Sequence, residues 1–276
     1  MAVPLSVTED LELELLLEAV HRRYGFDFRD YAAASLRRRL ARRAAAEGAG
    51  TYSELQGLLL RDAECMERLL RDLSINVTAM FRDPPFFRAL RDHVVPLLRT
   101  YPFTRIWCAG CSTGEEVWSL AILLYEEGLY DRARIYATDI NEHNVEVARL
   151  GIFPLDRMRA YTQSYIRAGG TQHFSDYYVA AYDAARFDPR LAENIVFAQH
   201  NLATDGSFNE FAVILCRNVL IYFDTALQHR VSELFDESLC RLGVLGLGRK
   251  DSLAFTPVAD RYASLDAEER IYRKVA

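Results

Sequence analysis

The stretch Trp107–Trp118, WCAGCSTGEEVW, decides how the chain folds. The apolar run RIWCA (105–109) reads as a strand, GCST as the loop after it, and Gly114-Glu115-Glu116 as the opening of a helix. A strand, a glycine-containing loop and a helix make the first unit of an open α/β sheet, whose ligands bind at the carboxyl ends of the strands. Downstream, RIYAT (134–138), NIVFAQ (194–199), FAVILC (211–216), GVLGLG (243–248) and RIYRKV (270–275) alternate with helical segments such as 117–127 and 226–241. That alternation predicts a parallel sheet covered by helices on both faces.

The second strand ends in Thr138-Asp139-Ile140, which places Asp139 29 positions after Gly110. A carboxylate at this strand tip is where such folds grip the hydroxyls of a ribose, so a nucleoside-containing cofactor is expected. The loop keeps only Gly110 and Gly114, and Glu115 and Glu116 occupy the first helical turn. Those carboxylates suit the helix dipole but repel a pyrophosphate. The loop therefore favours a cofactor with no phosphate and a positive charge, conditions met by S-adenosylmethionine. The plainer alternative stays open at this level: glycines that only turn the chain, glutamates that only stabilise a helix start, and Asp139 as a helix cap.

Cys108-Ala109-Gly110-Cys111 also has the spacing of a redox dithiol or half a metal site. A zinc site needs four ligands, and Cys65, Cys216 and Cys240 supply no second pair at metal spacing. Two adjacent glutamates oppose a thiolate. Small-residue packing is the preferred reading, and no metal is expected.

The chain has 276 residues, half of them hydrophobic and 26% charged, enough for one large or two smaller domains. Its net charge of −6 argues against a chain-wide nucleic-acid binder, although a local basic patch is compatible with it. No apolar run reaches the ~20 residues that span a bilayer, and the first twenty residues lack the basic and apolar regions of a secretion signal. A cytoplasmic protein, peripheral to membrane proteins at most, is expected. Residues from Thr8 to about Arg99 are helical in pattern, and between Gly151 and Arg190 the rhythm breaks into a partly β insert. The expected division is a helical domain over 5–73, a connecting segment over 74–99 that contributes to the cofactor site, and an α/β domain over 100–276 with an inserted subdomain at about 152–192.

Several stretches together resemble the CheR-type chemotaxis receptor methyltransferases: NVTAMFRD (76–83), CAGCSTGEEVWSLAILL (108–124), ATDIN (137–141), HNL (200–202) and ILCRNVLIYFD (214–224). They stand in the same order and at similar spacing over nearly the whole chain. The resemblance implies an S-adenosylmethionine-dependent methyltransferase of Rossmann-like fold, with an N-terminal all-helical domain and a small β insertion. The implied reaction forms methyl esters on glutamate side chains of a chemoreceptor or receptor-like signalling protein and leaves S-adenosylhomocysteine. It further implies that Asn76, Thr78 and Arg82 reach the cofactor, that Glu116 meets its methionine end and Asp139 its ribose, and that Asn201 and Leu202 flank the adenine. Gly110, Arg217 and Asn218 complete the cofactor set, while Arg82 and Tyr222 stand beside the methyl acceptor. Three departures stand out. Gly248-Arg249-Lys250-Asp251-Ser252 replaces Gly-His-Ser-Glu, Val117-Trp118 replaces Pro-Tyr, and the insert shows no glycine-rich turn, so a peptide-tethering role is not carried over.

A glutamate has a reference pKa of about 4.3 and arrives ionised at neutral pH, so this transfer needs no general base. The absence of a Ser-His-Asp or paired-carboxylate pattern is what such chemistry predicts. SLRRRLARR (35–43) adds a basic helix on which Arg38, Arg39, Arg42 and Arg43 share one face, a solvated surface or a dock for an acidic substrate helix. A methyltransferase for RNA or another substrate, and a non-catalytic adaptor of the same fold, are the alternatives.

Overall fold

The computed structural model describes residues 5–73 and 78–276. Four helices open the chain: α1 (Leu5–Tyr24), α2 (Ala33–Ala46), α3 (Tyr52–Arg61) and α4 (Ala63–Leu73). Each buries one apolar stripe at helical spacing, as with Leu13, Leu16, Leu17 and Val20 on α1 and Met66, Leu69, Leu70 and Leu73 on α4. Thr51 starts α3 by accepting the Glu54 N–H at 3.1 Å.

Two later segments, 201–205 and 221–231, belong to this helical unit. Tyr31 and Phe223 form an isolated antiparallel bridge with ring centroids 5.1 Å apart. Ala32 N donates to Tyr222 O at 2.9 Å, and Asp224 N donates to Asp30 O at 2.9 Å. These backbone bonds tie 222–224 to the segment between α1 and α2.

The second unit is the α/β domain, with described residues 78–200, 206–220 and 232–276. It opens with α5 (Pro84–Ala89), a π-helical turn (Leu90–Val94) and α6 (Val95–Leu98). The elements that follow are β1 (Thr104–Ala109), α7 (Glu115–Glu126), β2 (Ala133–Asp139), α8 (Glu142–Leu150), β3 (Ile152–Pro154), α9 (Met158–Arg167), β4 (Tyr178–Ala181), β5 (Ala184–Phe187), β6 (Ile195–Gln199) and β7 (Phe211–Cys216). The last are α10 (Thr225–Ser238), which begins in the helical unit, then β8 (Leu239–Leu247), β9 (Tyr262–Asp266) and β10 (Ile271–Lys274).

The main sheet has the order β6-β2-β1-β7-β8-β10-β9. β1 pairs in parallel with β2 and β7, β2 with β6, and β7 with β8. Every residue of β7 is buried, the continuous apolar run expected of a strand covered on both faces. The sheet is not parallel throughout. β10 runs antiparallel to β8 and to β9, because the chain returns directly from β9 through a short turn with no crossover helix. β9 (YASLD) has no fully buried residue and hence no apolar run by which it could be foreseen.

The insert is a three-stranded antiparallel sheet, order β3-β5-β4, with α9 beside it in sequence. Phe153, Phe174 and Tyr178 gather around Phe187 with centroids 5.4–5.8 Å away. Glu126, at the end of α7, anchors the insert: it accepts from Tyr165 OH, from Tyr177 OH at 2.9 Å and from Thr171 N at 3.1 Å, and it pairs with Arg91. Among the described residues no helix is long and apolar enough to cross a membrane.

Candidate cofactor site

The chain leaves β1 toward β2 and leaves β7 toward β8, so the loops after the neighbouring strands β1 and β7 part in opposite directions. Such a switch point opens a crevice at the carboxyl edge of the sheet. Gly110 and Cys111 both donate to Thr138 O at 2.8 Å, which folds the β1 loop onto the tip of β2. Gly110 takes φ +74°, and a Cβ there would lie 2.5 Å from Val219 Cγ2, so only glycine fits. Gly114 caps α7 at φ +97° against Ala148.

Asp139 is buried at this tip. Its Oδ2 accepts Ser112 N at 2.8 Å, and its Oδ1 accepts Asn141 N at 3.0 Å and Asn144 Nδ2 at 3.2 Å. Asp139 does not cap α8; Asn141 does, accepting His143 N at 3.0 Å. Burial raises the Asp139 carboxyl above the ordinary carboxylate range despite these bonds, which pull it down. A carboxylate offers about four lone-pair sites, so a further donor such as a ribose hydroxyl can be accepted and would stabilise the ionised form.

The two glutamates of α7 have different surroundings. Glu115 is 2% exposed and accepts from Thr113 Oγ1 at 2.7 Å, with Tyr161 OH at 3.5 Å and Arg157 at 3.9 Å on its other oxygen. It joins the helix start to α9. Glu116 accepts Arg217 Nη1 at 2.7 Å through Oε2, and its Oε1 carries no hydrogen bond among the described residues. That oxygen is suited to an ammonium group.

Arg217 stands directly after β7 with its side chain 2% exposed. Nη2 donates to Asp83 Oδ2 at 2.7 Å and to Arg82 O at 3.3 Å, and the guanidinium lies 4.0 Å from the Phe86 ring centroid. Arg217, expected beside the cofactor, is engaged by the protein itself. Its Nη atoms hold Glu116, Asp83 and the backbone of Arg82 together, while its Nε has no hydrogen-bond partner among the described residues. Asp251, at the place of the departed loop, is also buried. Its Oδ2 accepts Asn218 N at 2.7 Å and Gly248 N at 3.0 Å. It stands three residues after Gly248, as the acid does in Gly-His-Ser-Glu, while Arg249 turns to pair with Glu269. Trp118, the other departure, is fully buried and donates to Ala148 O at 2.9 Å.

Gly110, Glu116, Asp139, Arg217, Asn218 and Arg82 thus come from one domain and line its carboxyl edge. Thr78 and Arg82 are both half-buried in that domain. Asn76 lies outside the described residues. Asn201, Leu202 and Tyr222 belong to the helical unit: Asn201 is buried, with Oδ1 accepting Ala203 N at 3.0 Å, and Leu202 is buried. Sequence reasoning missed three residues that brace the edge: Asp83 and Asp251, and Ser119, whose Oγ accepts Phe81 N at 2.8 Å; Asp83 is adjacent to Arg82 in a stretch already singled out.

The thiols are packing groups. Burial pushes Cys108, Cys111 and Cys216 well above the usual thiol range, so they stay protonated and unreactive. Among the described residues no group of three or more His, Cys, Asp or Glu could hold a metal ion.

The basic face of α2 needs correction. Arg39 is buried; it donates to Leu73 O at 2.8 Å and lies 5.2 Å from the Tyr222 ring centroid. Asp72 accepts from Arg42 at 2.8 Å and from Arg43 Nε at 2.7 Å, and Glu47 accepts from Arg43 at 2.9 Å. Arg39 and Arg43 follow Leu36 by three and seven residues and therefore border the buried stripe rather than sharing the open face with Arg38.

Two family models cover the chain: "CheR methyltransferase, SAM binding domain" matches residues 76–269, and "CheR methyltransferase, all-alpha domain" matches residues 11–74. The chain belongs to the CheR methyltransferase family. Like other CheR proteins it is an S-adenosylmethionine-dependent methyltransferase, with an all-helical N-terminal domain, a Rossmann-like cofactor domain and a small β insertion. It is 49% identical to a Pseudomonas putida protein named "Putative methyltransferase Cher3", over 96% of this chain and 97% of that one. Proteins named "Chemotaxis protein methyltransferase" from Listeria monocytogenes (30% identity, 88% of this chain, 92% of that one) and "Chemotaxis protein methyltransferase 2" from Pseudomonas aeruginosa (31%, 80% and 79%) are further relatives.

Proposed function

We propose that this CheR protein methylates glutamate side chains of a chemoreceptor or receptor-like signalling protein on the cytoplasmic side of the membrane, forming methyl esters. The observation that carries the reading is the arrangement at the carboxyl edge: a buried Asp139 with acceptor capacity left and Glu116 with one oxygen open to an ammonium group. The names of the chemotaxis relatives supply the substrate class.

S-adenosylmethionine, when bound, supplies a methyl group made electrophilic by its sulfonium. Asp139 accepts from the ribose hydroxyls, Glu116 from the α-amino group, and Gly110 lets the backbone approach. Thr78 and Asn218 border the rest of the cofactor, with Arg217 acting through Glu116 and Arg82. Arg82 orients the acceptor carboxylate by charge-assisted hydrogen bonds. An ionised glutamate has no proton to lose, so the residues' work is alignment and exclusion of water. Arg38 and Arg42 are the exposed cations through which α2 would attract an acidic substrate segment.

Titration calorimetry with S-adenosylhomocysteine tests the first step. Binding is expected, and Asp139→Ala should weaken it; an Asp139→Ala protein that folds and binds like wild type would remove the ribose assignment.

A further inference from the structure

Besides Asp83 (φ 55°), which precedes α5, three non-glycine residues at the carboxyl edge hold left-handed backbone: Phe81 (φ 50°), Ser112 (φ 51°) and Asn218 (φ 61°). Each donates its N–H to a buried side-chain oxygen from another part of the domain. Phe81 N reaches Ser119 Oγ at 2.8 Å, Ser112 N reaches Asp139 Oδ2 at 2.8 Å, and Asn218 N reaches Asp251 Oδ2 at 2.7 Å. Strained backbone persists only where its surroundings over-determine it, and it clusters at binding sites. Of the three acceptors, only Asp139 has a role in the reading above.

We propose that Asp251 is a positioning residue for the cofactor site, the counterpart at the β7 loop of Asp139 at the β1 loop. Asp251 is 3% exposed and joins the ends of β7 and β8 by accepting from both Asn218 N and Gly248 N. The approach is close: a Cβ on Gly248 would lie 2.6 Å from Asp251 Oδ2 and 2.7 Å from Asn218 N. The residues on either side of Asn218 are the ones that touch the β1 loop and its helix. Arg217 binds Glu116, and Val219 lies over Gly110. Releasing Asn218 from its left-handed turn moves both, and with them the oxygen and the backbone that receive the cofactor. Asp251 acts through these residues and need not touch the cofactor.

The inference rests on the cofactor reading of Glu116 and Gly110, and one experiment separates the two. S-adenosylhomocysteine is titrated calorimetrically into the full chain as wild type, Asp251→Ala, Asp251→Asn and Leu98→Ala, with thermal unfolding of each. Leu98 is a buried core residue of α6 and serves as the stability control. Asp251→Ala is expected to bind at least about tenfold more weakly, and Asp251→Asn, which keeps an oxygen acceptor, to lose less. Leu98→Ala is expected to melt earlier yet bind like wild type. If Asp251→Ala does not fold, a loss of about threefold or more in Asp251→Asn supports the role. Folded Asp251 variants that bind within twofold of wild type overturn it, as does an affinity loss in Leu98→Ala that matches theirs. Failure of wild type to bind overturns the cofactor reading itself and the inference with it.

Discussion

Arg217 at the carboxyl edge of the sheet and the Arg38–Arg43 cluster on α2 carry the same charge in different settings. The cluster is conspicuous in sequence, yet the Leu73 carbonyl holds Arg39 in a buried bond, Asp72 and Glu47 hold Arg43 half-buried, and Arg42 pairs with Asp72 in the open. Arg217 is one arginine in an apolar stretch, and it is buried between Glu116 and Asp83 over the face of Phe86. Density of charge along the chain therefore says less about a site than the depth at which one charge is held, because screening weakens exposed pairs and not buried ones.

Arg217→Met should break this contrast most severely. It removes the cation shared by two carboxylates and frees the Arg82 backbone. A loss of about 2–4 kcal/mol in chemical denaturation is expected, below the upper range for buried pairs because Glu116 and Asp83 keep some contact with water, together with a fall in methyl transfer of roughly a hundredfold or more.

Asp139→Ala comes next, with S-adenosylhomocysteine affinity down by about ten- to a hundredfold, as befits hydrogen bonds to a charged acceptor. Its pH dependence follows from the raised carboxyl. Protonation removes the charge and an acceptor, so wild-type affinity should fall as pH drops through that raised value, beginning above the reference of about 3.9. The same shift acts in the other direction on the ligand-free protein. The folded state holds this proton more tightly than the unfolded chain, so the stability it contributes at low pH is lost as pH rises through the window. An Asp139→Asn variant should lose this component of the affinity profile.

Arg39→Met should cost about 1–2 kcal/mol in unfolding, through the lost Leu73 carbonyl bond and the stacking on Tyr222, with cofactor affinity unchanged. The smallest effect is expected for Arg42→Ala, within about 0.5 kcal/mol, since its side chain is 67% exposed beside Asp72. A large loss of stability there would contradict the contrast drawn between the two regions.

The strands of the main sheet were legible because β1, β2, β7 and β8 are continuous apolar runs between turn residues. β9 was not, since none of its residues is fully buried. The strand-tip acid and the helix-start glutamates were legible from position, but only the family resemblance singled out Glu116 in the sequence. Packing against Tyr161 and Arg217 gives the physical difference between them. Asp251 was hidden for another reason: its significance lies in two backbone N–H groups, and main-chain donors leave no mark in a side-chain pattern. The α2 arginines were misplaced because a face drawn from helical angles ignores Leu73 and Asp72, which come from another helix.

The most direct test is to incubate membrane and soluble fractions of the source cells with the protein and S-adenosylmethionine labelled in its methyl group, and then to locate the label. The expected result is methyl groups on glutamate residues of a receptor-like protein, released by mild alkali. Label that survives alkali on nitrogen, or that resides in RNA, would contradict ester formation as the function of this chain.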